Sequence, residues 1–166
     1  MSPDTAAQLR TALGDPGVVA RYRQKVAAVE PYTCLFWTGA VAARGHGRFW
    51  IADDTTGRDY VVIAHRFGYG LTHGFDALMH VEVVAHRCDT PRCQHPGHWR
   101  ESTHAQNKRE WAARRHSLSG PLRDLRGARG RALAIRDAVR TGQPLVDVVA
   151  AGVRDGDRDQ LALWET

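Results

Sequence analysis

The spacing of apolar and polar residues changes character twice along the chain. Residues 5 to 13 and 17 to 29 read as short helices, broken at Asp15-Pro16-Gly17 and stopped at Glu30-Pro31. From Cys34 onward the runs become short, aromatic and β-branched: CLFWTGA, GHGRFWIA after the Gly-rich AARGHG, and RDYVVIA after DDTTG. Such runs separated by turn residues predict a small antiparallel sheet. AHRFGYGLTHG reads as a short helix ending at glycine, and VEVVAH (81 to 86) as a further strand. Residues 103 to 115 contain few breakers and place polar, basic faces around Trp111, which predicts a helix with Ser102 or Thr103 near its N-cap. Residues 117 to 130, rich in Gly and Arg, read as a linker. RALAIRDAVRTG and PLVDVVAAGV then form a helix pair joined by Gly142-Gln143-Pro144, followed by an acidic turn and the terminal QLALWET.

This order predicts an α+β protein: an N-terminal helical element (1–31), a core built on a small antiparallel sheet (32–116), a basic linker (117–130), and a helical appendage with a C-terminal tail (131–166). A chain of 166 residues, 43% of them hydrophobic, suits one packed domain with an appendage. The sequence has no apolar run of about 18 residues, and MSPDTAAQLR lacks the order of a signal peptide, so the expectation is a cytoplasmic protein with no membrane partner.

Charge sharpens this picture. The net charge is +5, yet residues 100 to 140 alone hold eleven Lys or Arg against four acids. That excess is a candidate polyanion footprint, with Lys108, Arg109, Arg114, Arg115, Arg126, Arg129 and Arg131 as candidate phosphate ligands; the alternative is a solvated basic face.

The stretch AHRCDTPRCQHPGHWRESTHAQN, residues 85 to 107, holds two of the three cysteines and four of the nine histidines. In a reducing compartment, cysteines beside histidines favour metal ligation over disulfides. Cys88 and Cys93 bracket four residues, and His98 follows after four more, with Pro91, Pro96 and Gly97 bending the chain, so three ligands can converge from one loop on a tetrahedral zinc. The fourth is to come from His86, His95, His104 or the distant Cys34. Cys34 is favoured because a third thiolate suits a closed structural site; its alternative is a small core hydrophobe. His86 is then held beside the metal loop without being coordinated, as a general base requires. Asn107 on the following helix offers the hard oxygen that suits Mg²⁺ or Mn²⁺.

The run AHRCDTPRCQHPGHW, with THAQN after it and GHGRFW and IAHRFGY before it, resembles the HNH or ββα-metal endonucleases, and within them the His-Cys box homing endonucleases and their phage and bacterial relatives. The resemblance spans roughly Cys34 to Arg109. It implies a zinc-braced ββα-metal nuclease core with His86 as the water-activating base and Asn107 as ligand of a catalytic Mg. Cys88, Cys93, His98 and Cys34 fall on the positions of one structural zinc, and Arg48 on an arginine that contacts the cleaved phosphate. His65 matches a position common in the family, read here as a buried histidine bonded to backbone, and His46 reads as a polar loop residue near DNA. The chain departs from the pattern at His95, where the family has Asn, at Trp99 in place of Leu, and at Ala85, where many members have a metal-binding Asp.

The expected activity is therefore divalent-metal-dependent hydrolysis of phosphodiester bonds in double-stranded DNA, close to the nucleoid. The alternative is a non-catalytic, zinc-braced DNA-binding protein on the same fold. The C-terminal helix pair has the length and break of a helix-turn-helix, or else packs on the core. At the tail, Gln160, Leu161, Leu163 and Trp164 resemble a bacterial sliding-clamp-binding peptide carried on an acidic, flexible DGDRD lead.

Overall fold

A computed structural model of the chain describes residues 3–53, 57–118 and 120–162. Two helices open it, α1 (Pro3–Gly14) and α2 (Pro16–Arg23). Asp15 separates them and caps the second, its carboxylate accepting from Gly17 N at 2.7 Å and Val18 N at 3.0 Å, while Pro16 sits where a missing N–H costs nothing. The second helix is shorter than the sequence predicts. Val26–Ala28 forms strand β1, antiparallel to β2 (Leu35–Trp37), with Val26 opposite Trp37. Alanine favours helix locally, but pairing against an aromatic strand overrides so weak a preference.

Strand β2 joins two cores. Successive side chains in a strand point to opposite faces, so Trp37 enters the main core with Tyr22, Phe49, Phe67 and Trp99. Phe36 enters a second core with Ile135 and Ala138 of α6 (Gly127–Thr141) and Leu145 and Val148 of α7 (Leu145–Ala150). The C-terminal helix pair thus packs on the core, which is the second of the two readings its sequence allows. Arg92, fully buried, adds to the junction by donating from its guanidinium to the Ala132 carbonyl of α6.

The fold class is α+β with small antiparallel sheets, though the ladders number three among the described residues where the sequence suggests one sheet. Beside β1–β2 lies β3 (Ala40–Val41), β4 (Gly47–Asp53) and β5 (Arg58–Ile63), in that order. Helix α3 (Ala64–His73) ends, as its glycine predicts, at Gly74 with φ 91°, and α4 (Phe75–His80) follows. The third ladder is a hairpin of β6 (Val83–His86) and β7 (Trp99–Ser102), with His86 opposite Trp99. Helix α5 (His104–Arg114) comes next, its N-cap Thr103 accepting from Gln106 N at 3.1 Å.

Residues 117–130 are less open than a linker. They hold a 3₁₀ turn, Pro121–Arg123, and the first turn of α6, and Leu125 N donates to Gly152 O at 3.0 Å. The acidic lead near the C-terminus is likewise helical: α8 spans Asp155–Ala162, and Arg123 Nε donates to Asp157 at 2.9 Å. Asp155 and Asp157 in its first turn complement the helix dipole. This corrects the expectation of a flexible acidic segment.

Gly47 shows how tightly the sheet sits on Trp37. A Cβ there would meet Trp37 Cδ1 at 2.6 Å and Ala64 Cβ at 2.9 Å, both buried. Gly47→Ala is expected to destabilise the fold by about 1–3 kcal/mol, measured by chemical denaturation.

Candidate functional site

The hairpin β6–β7 carries a twelve-residue loop whose base is closed by Arg87 N donating to His98 O at 2.9 Å. Its far side lies along β2. Trp37 N donates to Arg92 O at 3.1 Å, Gln94 N to Leu35 O at 2.6 Å, and Phe36 bridges to Cys93. That pairing delivers Cys34, distant in sequence, to the loop. Cys34, Cys88, Cys93 and His98 then converge, with one ligand atom from each within 4.8 Å of all the others, so the four could hold a metal ion. His98 Nδ1 lies 3.7 Å from Cys34 Sγ and 3.4 Å from Cys93 Sγ. The thiols share hydrogen bonds, which hold Cys88 well below and push Cys34 well above the usual thiol range, the Cys34–Cys88 contact being the largest cause for each.

His95 supports this group without joining it. Its Nδ1 accepts from Gly97 N at 3.1 Å and caps the 3₁₀ turn Pro96–His98, and its ring stacks on His98 at 4.5 Å. An imidazole thus braces the loop at this turn. Trp99 packs beneath the loop, buried, with Nε1 donating to Cys93 O at 3.2 Å.

The Cys93 carbonyl takes a second donor, His86 Nε2, at 3.0 Å. This bond places the His86 proton on Nε2 and leaves Nδ1 with its lone pair. Burial holds the His86 pKa below its ordinary value, so the imidazole is neutral near pH 7. Behind it stands His65, its ring at 73° to that of His86 with 4.5 Å between centroids. His65 is buried and its pKa is pushed down by burial, against a backbone hydrogen bond at Val84. His46, 5.5 Å from the His65 ring, is half-buried, and burial first and His86 second bring it down to about 4. All three rings are uncharged at neutral pH.

His86 and His46 open into one cleft of about 760 Å³. Asn107, Lys108, Trp111 and Arg114 of α5 form one wall, Ala43 and Arg44 of the β3–β4 loop another, and Leu122 with Arg126 to Arg129 a third. Ala85 also lines it. The structure therefore brings His86 and Asn107 together. Arg44 and Trp111 were not singled out for this site by their spacing, because nothing local marks a loop arginine or a half-exposed indole as facing a cleft.

Other sequence candidates fall elsewhere. Arg48 sits on the exposed face of β4, its guanidinium 5.1 Å from the Trp50 ring, and is not among the cleft-lining residues. Arg114 is held by both oxygens of Asp89 at 2.8 Å. Arg126 and Arg131 both reach the buried Asp124, whose carboxyl lies below its ordinary range because these hydrogen bonds outweigh its burial, itself the largest single influence. These three arginines brace the structure and are not free phosphate ligands. Arg44, Lys108 and Arg129 are exposed at the cleft and have no ion-pair partner among the described residues. Arg109 is exposed on α5, and Arg115 covers one face of the Trp111 ring at 5.1 Å. In the tail motif, Gln160 and Leu161 fall within α8, while Leu163 and Trp164 lie outside the described residues. No described helix is long and apolar enough to cross a membrane.

Neither a protein-family model nor a solved structure matches the chain. Protein 7.7 of Escherichia phage T7 is 30% identical over 112 residues, covering 68% of this chain and 80% of that protein.

Proposed function

The chain belongs to the family of protein 7.7 of Escherichia phage T7, and for it we propose a divalent-metal-dependent DNA endonuclease of the HNH, ββα-metal kind. One observation carries the reading: His86 donates Nε2–H to the Cys93 carbonyl and lines the same basic cleft as Asn107. On this reading β6, β7 and α5 are the ββα unit.

The thiolate-rich group is proposed to hold one structural zinc. Zn–S bonds of about 2.3 Å and Zn–N bonds of about 2.05 Å at tetrahedral angles put sulfur and nitrogen about 3.6 Å apart. The two separations at His98 Nδ1, 3.4 and 3.7 Å, bracket that value. Three sulfurs and one imidazole suit zinc over a hard cation. Asn107, a single hard-oxygen donor, fits Mg²⁺, which keeps waters in most of its positions. When bound there, the cation would supply Lewis-acid stabilisation of the charge that builds on the phosphate.

The protein's own part is proton transfer and charge placement. His86, fixed by its Nε2 bond, accepts a proton at Nδ1 from the attacking water; a rigid neutral imidazole does this without first losing a proton of its own. Arg44, Lys108 and Arg129 supply positive charge along the path of the phosphates. The alternative, a binding protein without catalysis, would be favoured by a His95 departure that disturbed the loop, but His95 braces it. Supercoiled plasmid is the test: nicking is expected with Mg²⁺, none with Mg²⁺ omitted, and at least a roughly 100-fold loss in Asn107→Ala protein. Full cleavage by Asn107→Ala protein would refute its role as ligand, and no cleavage by the wild type of either supercoiled plasmid or a single-stranded circle would refute the enzyme.

A further inference from the structure

We propose that the strand bound in this cleft is unpaired DNA, with one base stacked on Trp111. The inference rests on the nuclease reading for its substrate class but on separate observations for its form. The first is the third wall. After α5 the chain passes through Leu122 and Arg126 to Arg129, all at the cleft, and then touches the opposite wall: a Cβ on Gly45 would meet Ala128 O at 2.7 Å. The segment leaves the α5 wall and arrives at the β3–β4 loop, so it bridges the two. His86 and Asn107 lie in a space of about 760 Å³ bounded on three sides, a volume in the range of ordinary small-ligand sites, about 300–1,000 Å³. A few nucleotides of one strand match a cleft of that size.

The second observation is Trp111. It is 47% exposed, one of the most exposed large hydrophobic side chains among the described residues, yet it lines the cleft. Arg115 lies over the ring, 5.1 Å from its centroid, and is not itself a cleft residue. Lys108, with no acid three or four positions away along α5, stands three positions before Trp111 on the same side of the helix, and Arg44 and Arg129 line the other walls. An aromatic platform among unpaired cations is the arrangement by which proteins hold single strands: cations track the phosphates, and a base with no partner stacks on the ring. In a duplex the base faces are already occupied by their neighbours, so the ring would gain nothing.

The test measures binding of full-length protein without added Mg²⁺, by fluorescence anisotropy. The probes are a labelled 12-nucleotide oligothymidylate, a 12-base-pair duplex and a 12-nucleotide RNA at equal salt. The single DNA strand is expected to bind at least ten-fold tighter than the duplex. Trp111→Ala is expected to weaken it by roughly ten-fold, and Trp111→Phe by much less. Melting curves of both variants check that the exposed position leaves the fold intact. Equal or tighter duplex binding, preference for the RNA, no binding of any probe, or Trp111→Ala affinity within two-fold of wild type would overturn the proposal. Cleavage assayed separately with Mg²⁺ keeps the two readings apart. Strand binding through Trp111 without cleavage sinks only the nuclease, and cleavage indifferent to Trp111 sinks only this inference.

Discussion

Cys88→Ala protein is expected to lose its zinc and most of its stability together. A structural zinc contributes on the order of 10–16 kcal/mol to the folding of small modules, comparable with the whole stability of a typical domain, about 5–15 kcal/mol. Here the ion would clamp β2 to the loop between β6 and β7, through Cys34 on one side and Cys88, Cys93 and His98 on the other. Both cores meet at that clamp, since Phe36 and Trp37 follow Cys34 closely. Even partial retention of the fold leaves a loss of several kcal/mol, a fall in Tm on the order of 10 °C or more. Metal analysis of the wild type should find one zinc per chain, and a strong chelator should reproduce the mutant's thermal behaviour. Full zinc content with unchanged Tm in Cys88→Ala protein would refute the site.

Local spacing revealed what one loop could supply. Cys88, Cys93 and His98 lie within eleven residues, and the breaks at Pro91, Pro96 and Gly97 bend the chain as their chemistry predicts. Cys34 was legible by its residue type alone; its delivery depends on the Phe36–Cys93 bridge, a pairing across 57 positions that no local pattern encodes. The helices followed the same rule. The break at Asp15, a cap at Ser102 or Thr103 and the stop at Gly74 were visible in the sequence, while the three-residue β1 exists only because β2 is there to pair with it.

Charge was the least legible property. Eleven cations between residues 100 and 140 read as one basic surface, but a sum of charges carries no information about partners. Asp89, 25 positions from Arg114, and Asp157, 34 positions from Arg123, each neutralise an arginine from outside the segment or its neighbourhood. Asp124 inside it binds two. What remains without an ion-pair partner among the described residues is a smaller set, of which Lys108 and Arg129 line the cleft, where Arg44 joins them from a loop far upstream.

His86→Ala is expected to abolish cleavage while the protein keeps its zinc. Loss of a general base typically costs about 10²- to 10⁴-fold, and plasmid nicking under Mg²⁺ reads that range directly. The side chain is separable from the metal group because it is not one of the four converging ligands. Its link to them runs through one hydrogen bond to the Cys93 carbonyl, and Trp99 Nε1 still occupies that carbonyl when the imidazole is gone. Zinc content should therefore remain at one per chain, and DNA affinity should change little, since no charge is lost from a residue held neutral by burial. The converse dependence is stronger. Loss of a metal from this group would free the Cys93 carbonyl to move, and with it the bond that fixes which His86 nitrogen carries the proton, so Cys88→Ala should be inactive even where it retains some fold. Release of zinc by His86→Ala would show that His86 is a ligand and that the base must be sought elsewhere in the cleft, with His46 the first to replace.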